Sequence, residues 1–132
     1  MAAPPEEKHT GLRRLANALR FSVNGVRACF RTEEAFRQEV FLAAFMIPFG
    51  LWIGKTHADK YLLAGSVILV LLVELLNTAV ERAIDRISFE KHELSKESKD
   101  MGSAAVFLSL LMAGLCWTLL ALPEIIKLMN LI

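Results

Sequence analysis

Apolar residues in this chain come in long uninterrupted blocks, not in the short alternations of a strand-built protein. Val40–Gly54 carries no charge, Tyr61–Val80 carries one (Glu74), and Ala104–Ile126 carries one (Glu124) near its end. A helix crossing the hydrocarbon core of a bilayer needs about 20 apolar residues, with a range of roughly 17–25. The second and third blocks reach that length. The first, at ~1.5 Å of rise per residue, provides only ~22 Å. It spans only if Ala35–Glu39 continue the helix and reach the interface, and Pro48 inside it invites a kink. The blocks thus predict spans at about 35–54, 61–81 and 103–125.

Ahead of the first block the pattern changes. Leu12, Leu15, Leu19, Val23, Val26 and Phe30 recur every three or four residues, one stripe on a helix. Arg13, Arg14, Arg20, Arg27 and Arg31 lie largely off that stripe. This predicts a helix over 11–31, lying in the membrane interface or packed on the rest of the protein; both arrangements fit. Residues 1–10 are small, polar and proline-containing, and read as a flexible start. Thr32 is expected to cap the next helix, with Glu33 and Glu34 in its first turn. His57, Ala58 and Asp59 read as a tight outer turn, and residues 87–100 as a polar cytoplasmic connection. Gly102, Ser103, Ala104 and Ala105 open the third span with small residues, which let membrane helices approach closely. The expected fold is an all-α membrane protein, an N-terminal amphipathic interfacial helix followed by three transmembrane helices, forming one domain over residues 1–132.

Composition and charge refine this picture. The chain is 55% hydrophobic, above the roughly 45–50% of globular domains, and the blocks assign the excess to membrane spans. Lys and Arg number seven in residues 1–39, two in 55–60, five in 81–103 and one in the tail. Positive residues favour the cytoplasmic side, so the N-terminus and the 81–103 connection are expected inside and the C-terminus outside. Three spans give that alternation. The first twenty residues contain no apolar stretch of the signal-peptide kind, which leaves the first span as the expected insertion signal. A net charge of +1 provides no global basic field for nucleic acid. Cys29 and Cys116 are isolated, with no metal or disulfide spacing, and read as ordinary packing residues.

The strongest chemical signal is Glu74 inside an apolar span. A charge at the bilayer centre costs at least ~2.5–3.5 kcal/mol. Asn77, Glu81 and Asp85 follow at three, seven and eleven residues, nearly on one helix face, so a polar stripe runs from mid-membrane to the cytoplasmic surface. The plain alternative is a hydrogen-bonded helix contact without chemistry. Glu74 and Glu81 stand about 10.5 Å apart along the axis and cannot share a proton directly. The shallower carboxylate suits a cation, and the deeper one a lipid hydroxyl. A carboxylate shielded from water can serve as a general base near neutral pH. A second cluster, Glu33-Glu34-Ala35-Phe36-Arg37-Gln38-Glu39, offers hard oxygen ligands suited to Mg2+, although such a run in isolation is more often a solvated helix start. A third, Glu90, His92 and Glu93 followed by Lys99-Asp100, could grip phosphates and adenine, or could be a solvated loop. His9 and His57 have no evident partners. Gly50-Leu51-Trp52-Ile53-Gly54-Lys55-Thr56 imitates a phosphate-binding P-loop, but only three residues separate its glycines and no strand precedes it. A GxGxxG pattern is absent as well.

Residues 74–106, ELLNTAVERAIDRISFEKHELSKESKDMGSAAV, closely resemble the prokaryotic diacylglycerol kinase family, and so do EEAFRQE at 33–39 and Gly25-Val26-Arg27-Ala28. The resemblance covers roughly residues 11–122. It implies a small three-span enzyme of the bacterial inner membrane, a homotrimer with shared sites facing the cytoplasm, that transfers the γ-phosphoryl group of ATP directly to diacylglycerol with Mg2+. In that pattern Glu74 is the base, supported by Asn77, and Glu33 and Glu81 hold the metal and with it ATP. Arg14, Glu90, His92, Lys99 and Asp100 contact the nucleotide. Ser22, Arg27, Ala35, Phe36, Arg37, Gln38, Glu39, Trp52, Ser103 and Trp117 line the lipid's path together with Glu74. Phe21, Val23 and Asn24 depart from the pattern, and a phenolic contact to the nucleotide is lost at Phe21. The same scaffold supports a polyprenol kinase acting on undecaprenol, although Met101-Gly102-Ser103-Ala104-Ala105 looks more like the diacylglycerol branch. A non-catalytic membrane subunit or proton relay using Glu74 is the third alternative, and it would bind no nucleotide.

Overall fold

A computed structural model describes residues 10–132, and among these every regular element is helical. The expected flexible start, apart from Thr10, lies outside the described residues, as does His9. Helix α1 runs Leu12–Thr32, α2 Glu34–Ile53, α3 His57–Ile87, α4 Glu93–Leu120 and α5 Leu122–Asn130. Three helical stretches are long and apolar enough to cross a membrane: α2, α3 and the α4–α5 unit from Glu93 to Asn130. The short first block does continue backwards, because α2 begins at Glu34, and Pro48 lies within it without ending it.

The helix ends differ from expectation where local capping decides them. Thr32 does not cap α2. It is the last residue of α1, its hydroxyl donating to the Ala28 carbonyl at 3.0 Å, and Glu33 in extended backbone forms the joint between the two helices. Arg37 secures the joint from the other side: its Nη1 donates to the carbonyls of Phe30 and Arg31, both at 3.0 Å. The last carbonyls of a helix have no partner within it, so the guanidinium satisfies what α1 leaves open. His57, Ala58 and Asp59 are not a turn but the first turn of α3. Thr56 and Asp59 form a reciprocal capping box, Asp59 N–H donating to Thr56 Oγ1 at 3.0 Å and Thr56 N–H to Asp59 Oδ2 at 3.3 Å, which starts the helix there. The polar connection is likewise shorter than 87–100. Its second half is helical from Glu93 because the His92 Nδ1 accepts the Leu94 N–H at 3.1 Å as a cap.

α3 is the centre of the bundle, packed on α2 along one side and α4 along the other. Its buried residues Leu63, Val67, Val70, Glu74 and Thr78 recur every three or four positions, the spacing of one helix face. At the outer half of the bundle Trp117 joins three helices. Its indole N–H donates to the Leu63 carbonyl at 3.2 Å, and its ring stacks on Phe49 with centroids 6.2 Å apart and planes at 18°. Gly50 makes this possible, since a Cβ there would lie 3.0 Å from Leu63 Cβ and 3.2 Å from the Trp117 ring. The outer ends are tied by Glu124, whose Oε1 takes both Lys55 at 3.0 Å and Lys127 at 3.1 Å. α1 is loosely held, with Cys29 its one buried residue.

Candidate functional site

The length of α3 fixes the depth of its polar groups. From Tyr61, Glu74 lies ~20 Å along the axis and Glu81 ~30 Å. With a hydrocarbon core about 30 Å thick, Glu74 stands inside it and Glu81 at its edge. Glu74 is buried, 7% exposed, while Glu81 is half-buried. Both Glu39, from α2, and Glu33, from the α1–α2 joint, lie within electrostatic reach of Glu74, as does Glu81. Carboxylates from α3, α2 and the joint therefore converge at the inner half of the bundle. Of the five ion pairs among the described residues, none engages Glu39, Glu74 or Glu81. Glu39 Oε2 is buried without a hydrogen-bond partner. Leaving a charge buried and unpaired is costly, and proteins retain such a group where a ligand completes it.

Asn77 lies between the two α3 acids. Its Nδ2 reaches Glu81 Oε1 at 3.5 Å, and its Oδ1 is buried with no partner. That oxygen is pressed against Gly102 of α4, where an added Cβ would collide with it. The small-residue start of the third span therefore has a specific use: it admits the Asn77 side chain at the α3–α4 crossing.

Two cavities flank the acids. The inner one, of about 690 Å³, lies between the end of α3 and the start of α4, and includes Asp85, Glu90, His92, Lys96, Lys99 and Asp100. Lys99 pairs with Asp85 and Lys96 with Asp100, each at 2.7 Å. The second, of about 240 Å³, is nearly all apolar, walled by Leu42, Met46, Val67, Val70, Leu110 and Trp117 with Glu39 as its acid. A polar cavity one helical turn beyond Glu81 and an apolar groove beside Glu39 suit a hydrophilic and a lipidic ligand respectively.

The remaining expected site residues are placed as follows. Glu90, His92, Lys99 and Asp100 share the inner cavity, His92 also capping α4. Ser22 and Arg27 line a shallow groove on α1 with Val23, Val26 and Phe30. Arg14 is exposed on the same helix, two turns from that groove. Glu39 and Trp117 share the apolar groove. Phe36 is 1% exposed and forms part of the core. Arg37 is committed to the α1 carbonyls. Ala35, Gln38, Trp52 and Ser103 are exposed, away from both cavities. Asp85 and Lys96 join the inner cavity without having been expected to contact a substrate. Asp85 was legible as the last member of the α3 polar stripe, whereas Lys96 becomes part of the site only because α4 starts at Glu93.

A family description titled prokaryotic diacylglycerol kinase matches residues 20–121. The chain belongs to the prokaryotic diacylglycerol kinase family. It is 46% identical over 110 residues to the diacylglycerol kinase of Haemophilus influenzae, covering 83% of this chain and 93% of that protein. It is 42% identical to the diacylglycerol kinase of Pseudomonas aeruginosa over 122 residues, 92% of this chain and 99% of that one, and 41% identical to that of Escherichia coli over 111 residues. The matched region holds all the converging acids and both cavities, while α5 lies beyond it.

Proposed function

We propose that this protein phosphorylates diacylglycerol to phosphatidic acid with ATP, at the cytoplasmic face of the bacterial inner membrane. The observation that carries the reading is a set of carboxylates gathered near a polar cavity and beside an apolar groove, with no cation among the described residues on Glu39, Glu74 or Glu81. A non-catalytic helix contact would pair those acids. The chain's kinship adds the reaction: a kinase acting on a membrane-embedded alcohol.

Glu74 takes the proton of the lipid hydroxyl. The freed oxygen forms its bond to the γ-phosphorus as the bond from that phosphorus to the β–γ bridging oxygen breaks, releasing ADP. Asn77 holds Glu81 by its amide, its oxygen being turned to Gly102 at the α3–α4 crossing. Glu39 offers its unpaired oxygen to the glycerol end of the lipid, whose chains follow the apolar groove toward Trp117. The inner cavity receives ATP, with Lys99, Lys96 and His92 toward its phosphates and base. Arg14, Ser22 and Arg27 on α1 close the site from the membrane surface.

Glu33 and Glu81 fit a Mg2+ brought in with ATP. No group of three or more His, Cys, Asp or Glu that could hold a metal occurs among the described residues, and Mg2+ characteristically binds through one or two carboxylates plus substrate phosphates. Bound there, the ion would offset charge on the transferred phosphoryl group. The residues contribute positioning of two substrates that meet at the interface. One chain with its site open on both sides encloses neither substrate fully, which supports a homotrimer with shared sites, while the Lys and Arg excess in residues 1–39 and 81–103 supports an N-terminus inside and a C-terminus outside.

The test is purified protein in mixed micelles with radiolabelled Mg-ATP and a panel of diacylglycerol and undecaprenol. Phosphatidic acid as the dominant product is expected. A folded protein that labels neither lipid refutes the reading, and faster labelling of undecaprenol replaces it with a polyprenol kinase. Mixing inactive Glu74→Gln and Glu33→Gln subunits should restore turnover if sites are shared, and no recovery in verified mixed oligomers would remove that part.

A further inference from the structure

Glu33 occupies a precarious place. It is the extended residue between α1 and α2, and α1 itself buries only Cys29. Repulsion from the nearby carboxylate of Glu74 pushes it away from α3. Backbone preference does not oppose that push, since one extended residue between helices is a natural hinge.

Arg82 opposes it. It follows Glu81 on α3, and its guanidinium reaches across to the joint, where Nη2 donates to Thr32 Oγ1 and lies 3.9 Å from Glu33 Oε1. The Thr32 hydroxyl is in turn 3.3 Å from the same Glu33 oxygen. One guanidinium therefore grips both the last residue of α1 and the acid that begins α2. Consecutive residues of α3 supply one carboxylate of the cation pair and the counter-charge of the other. Arg82 is half-exposed and its reach to Glu33 is long, so as a mere surface ion pair it would contribute little stability. Its placement matters through what it holds.

We propose that Arg82 is a positioning residue of the kinase: in the nucleotide-free protein it holds Glu33 against α3, opposite Glu81, so that Mg-ATP meets an assembled pair. This rests on Glu33 and Glu81 being the cation carboxylates. The divalent ion then replaces the guanidinium as the bond between the joint and α3, so the need for Arg82 is greatest before nucleotide binds and least afterwards.

The experiment compares wild type, Arg82→Gln, Arg82→Lys and Thr32→Val in detergent by three measurements. Binding of the non-hydrolysable β,γ-imido analogue of ATP is titrated against Mg2+ without lipid, amide hydrogen exchange is followed at residues 29–34, and turnover is measured on diacylglycerol. Arg82→Gln is expected to raise the Mg2+ concentration for half-maximal analogue binding about five-fold, with kcat at saturating Mg-ATP within about two-fold of wild type. Exchange at 29–34 should rise in the nucleotide-free variant and return to the wild-type rate with Mg2+ and the analogue. Arg82→Lys, which keeps the charge and loses the fork, and Thr32→Val, which keeps the fork and loses its acceptor, should fall between. Thr32→Val carries the test if Arg82→Gln does not fold. An unchanged Mg2+ dependence, a tighter one, or exchange that stays high with Mg2+ and analogue bound would overturn the proposal. A wild type that labels no diacylglycerol sinks the kinase reading instead, whereas an active wild type with an indifferent Arg82→Gln sinks only Arg82's part.

Discussion

The two ends of this bundle treat their acids in opposite ways. At the outer end Glu124 is held by two lysines, one from the α2–α3 turn and one from its own helix. At the inner end Glu39 and Glu74 lie in the membrane-spanning helices with no ion pair, and one Glu39 oxygen has no partner of any kind. Desolvation makes the inner acids much the more expensive to leave open. The cheap acid is neutralised and the expensive ones are not. An acid that serves the fold is paired by the fold. In the proposed function, the acids left open where openness costs most are completed by a ligand.

The sharpest way to break this contrast is to remove one charge at each end. Glu74→Gln should lower kcat by about 10²–10⁴-fold, the usual contribution of a general base, with nucleotide binding unchanged. Glu124→Gln should leave kcat and KM as they are. Comparable losses from both would mean that Glu74 only stabilises the bundle, and an active Glu74→Gln would end the catalytic assignment.

The next effects come from the packing that supports each end. Gly102→Ala puts a methyl group where Asn77 Oδ1 lies, so α3 and α4 must separate or the amide must turn away from Glu81. Overpacking of this kind costs about 1–3 kcal/mol, and here it should also cut kcat about ten-fold, a loss near 1.4 kcal/mol in barrier terms. Trp117→Phe, at the outer half, removes the donor to Leu63 while keeping a ring against Phe49. It should lower stability by about 0.5–1.5 kcal/mol with a smaller effect on turnover. Thermal unfolding and initial rates measured on both variants separate the two outcomes. A stability loss without a rate loss in Gly102→Ala would free Asn77 from its supporting role.

Cys29 gives the smallest effect and sharpens the inner boundary. Burial pushes its thiol above the ordinary range, against the opposing hydrogen bond that its Sγ makes to Thr78 Oγ1 at 3.6 Å. A raised pKa means less thiolate at any given pH, and the thiolate is the reactive form. Alkylation of Cys29 should therefore be slow at neutral pH and accelerate only above the pH at which an exposed thiol responds. Rapid labelling at neutral pH would show that α1 swings away from α3 in solution.

Much of the fold was legible because burial in lipid imposes a coarse rule. Blocks of about 20 apolar residues must be helices, since every backbone group has to be satisfied internally. Glu74, Asn77, Glu81 and Asp85 were legible for a related reason, helical periodicity being regular enough to align residues many positions apart. The helix ends were less legible. Thr32 looked like a cap and instead bonds back into α1, while Thr56 and Asp59 formed the real capping box in what read as a turn. Short polar residues bond to whichever backbone group lies near, and the sequence does not say which.

By itself, the sequence determined three membrane helices, an amphipathic leader and the polar face of α3, because hydrophobic length and helical period are local properties. Only the tertiary structure decided that Glu39 joins Glu74, that Gly102 makes room for Asn77, that Lys99 closes on Asp85, and that Arg82 reaches the Glu33 joint. Each depends on which faces of separate helices meet, and at what height. Those quantities are set by packing between residues far apart in the chain, and no local pattern records them.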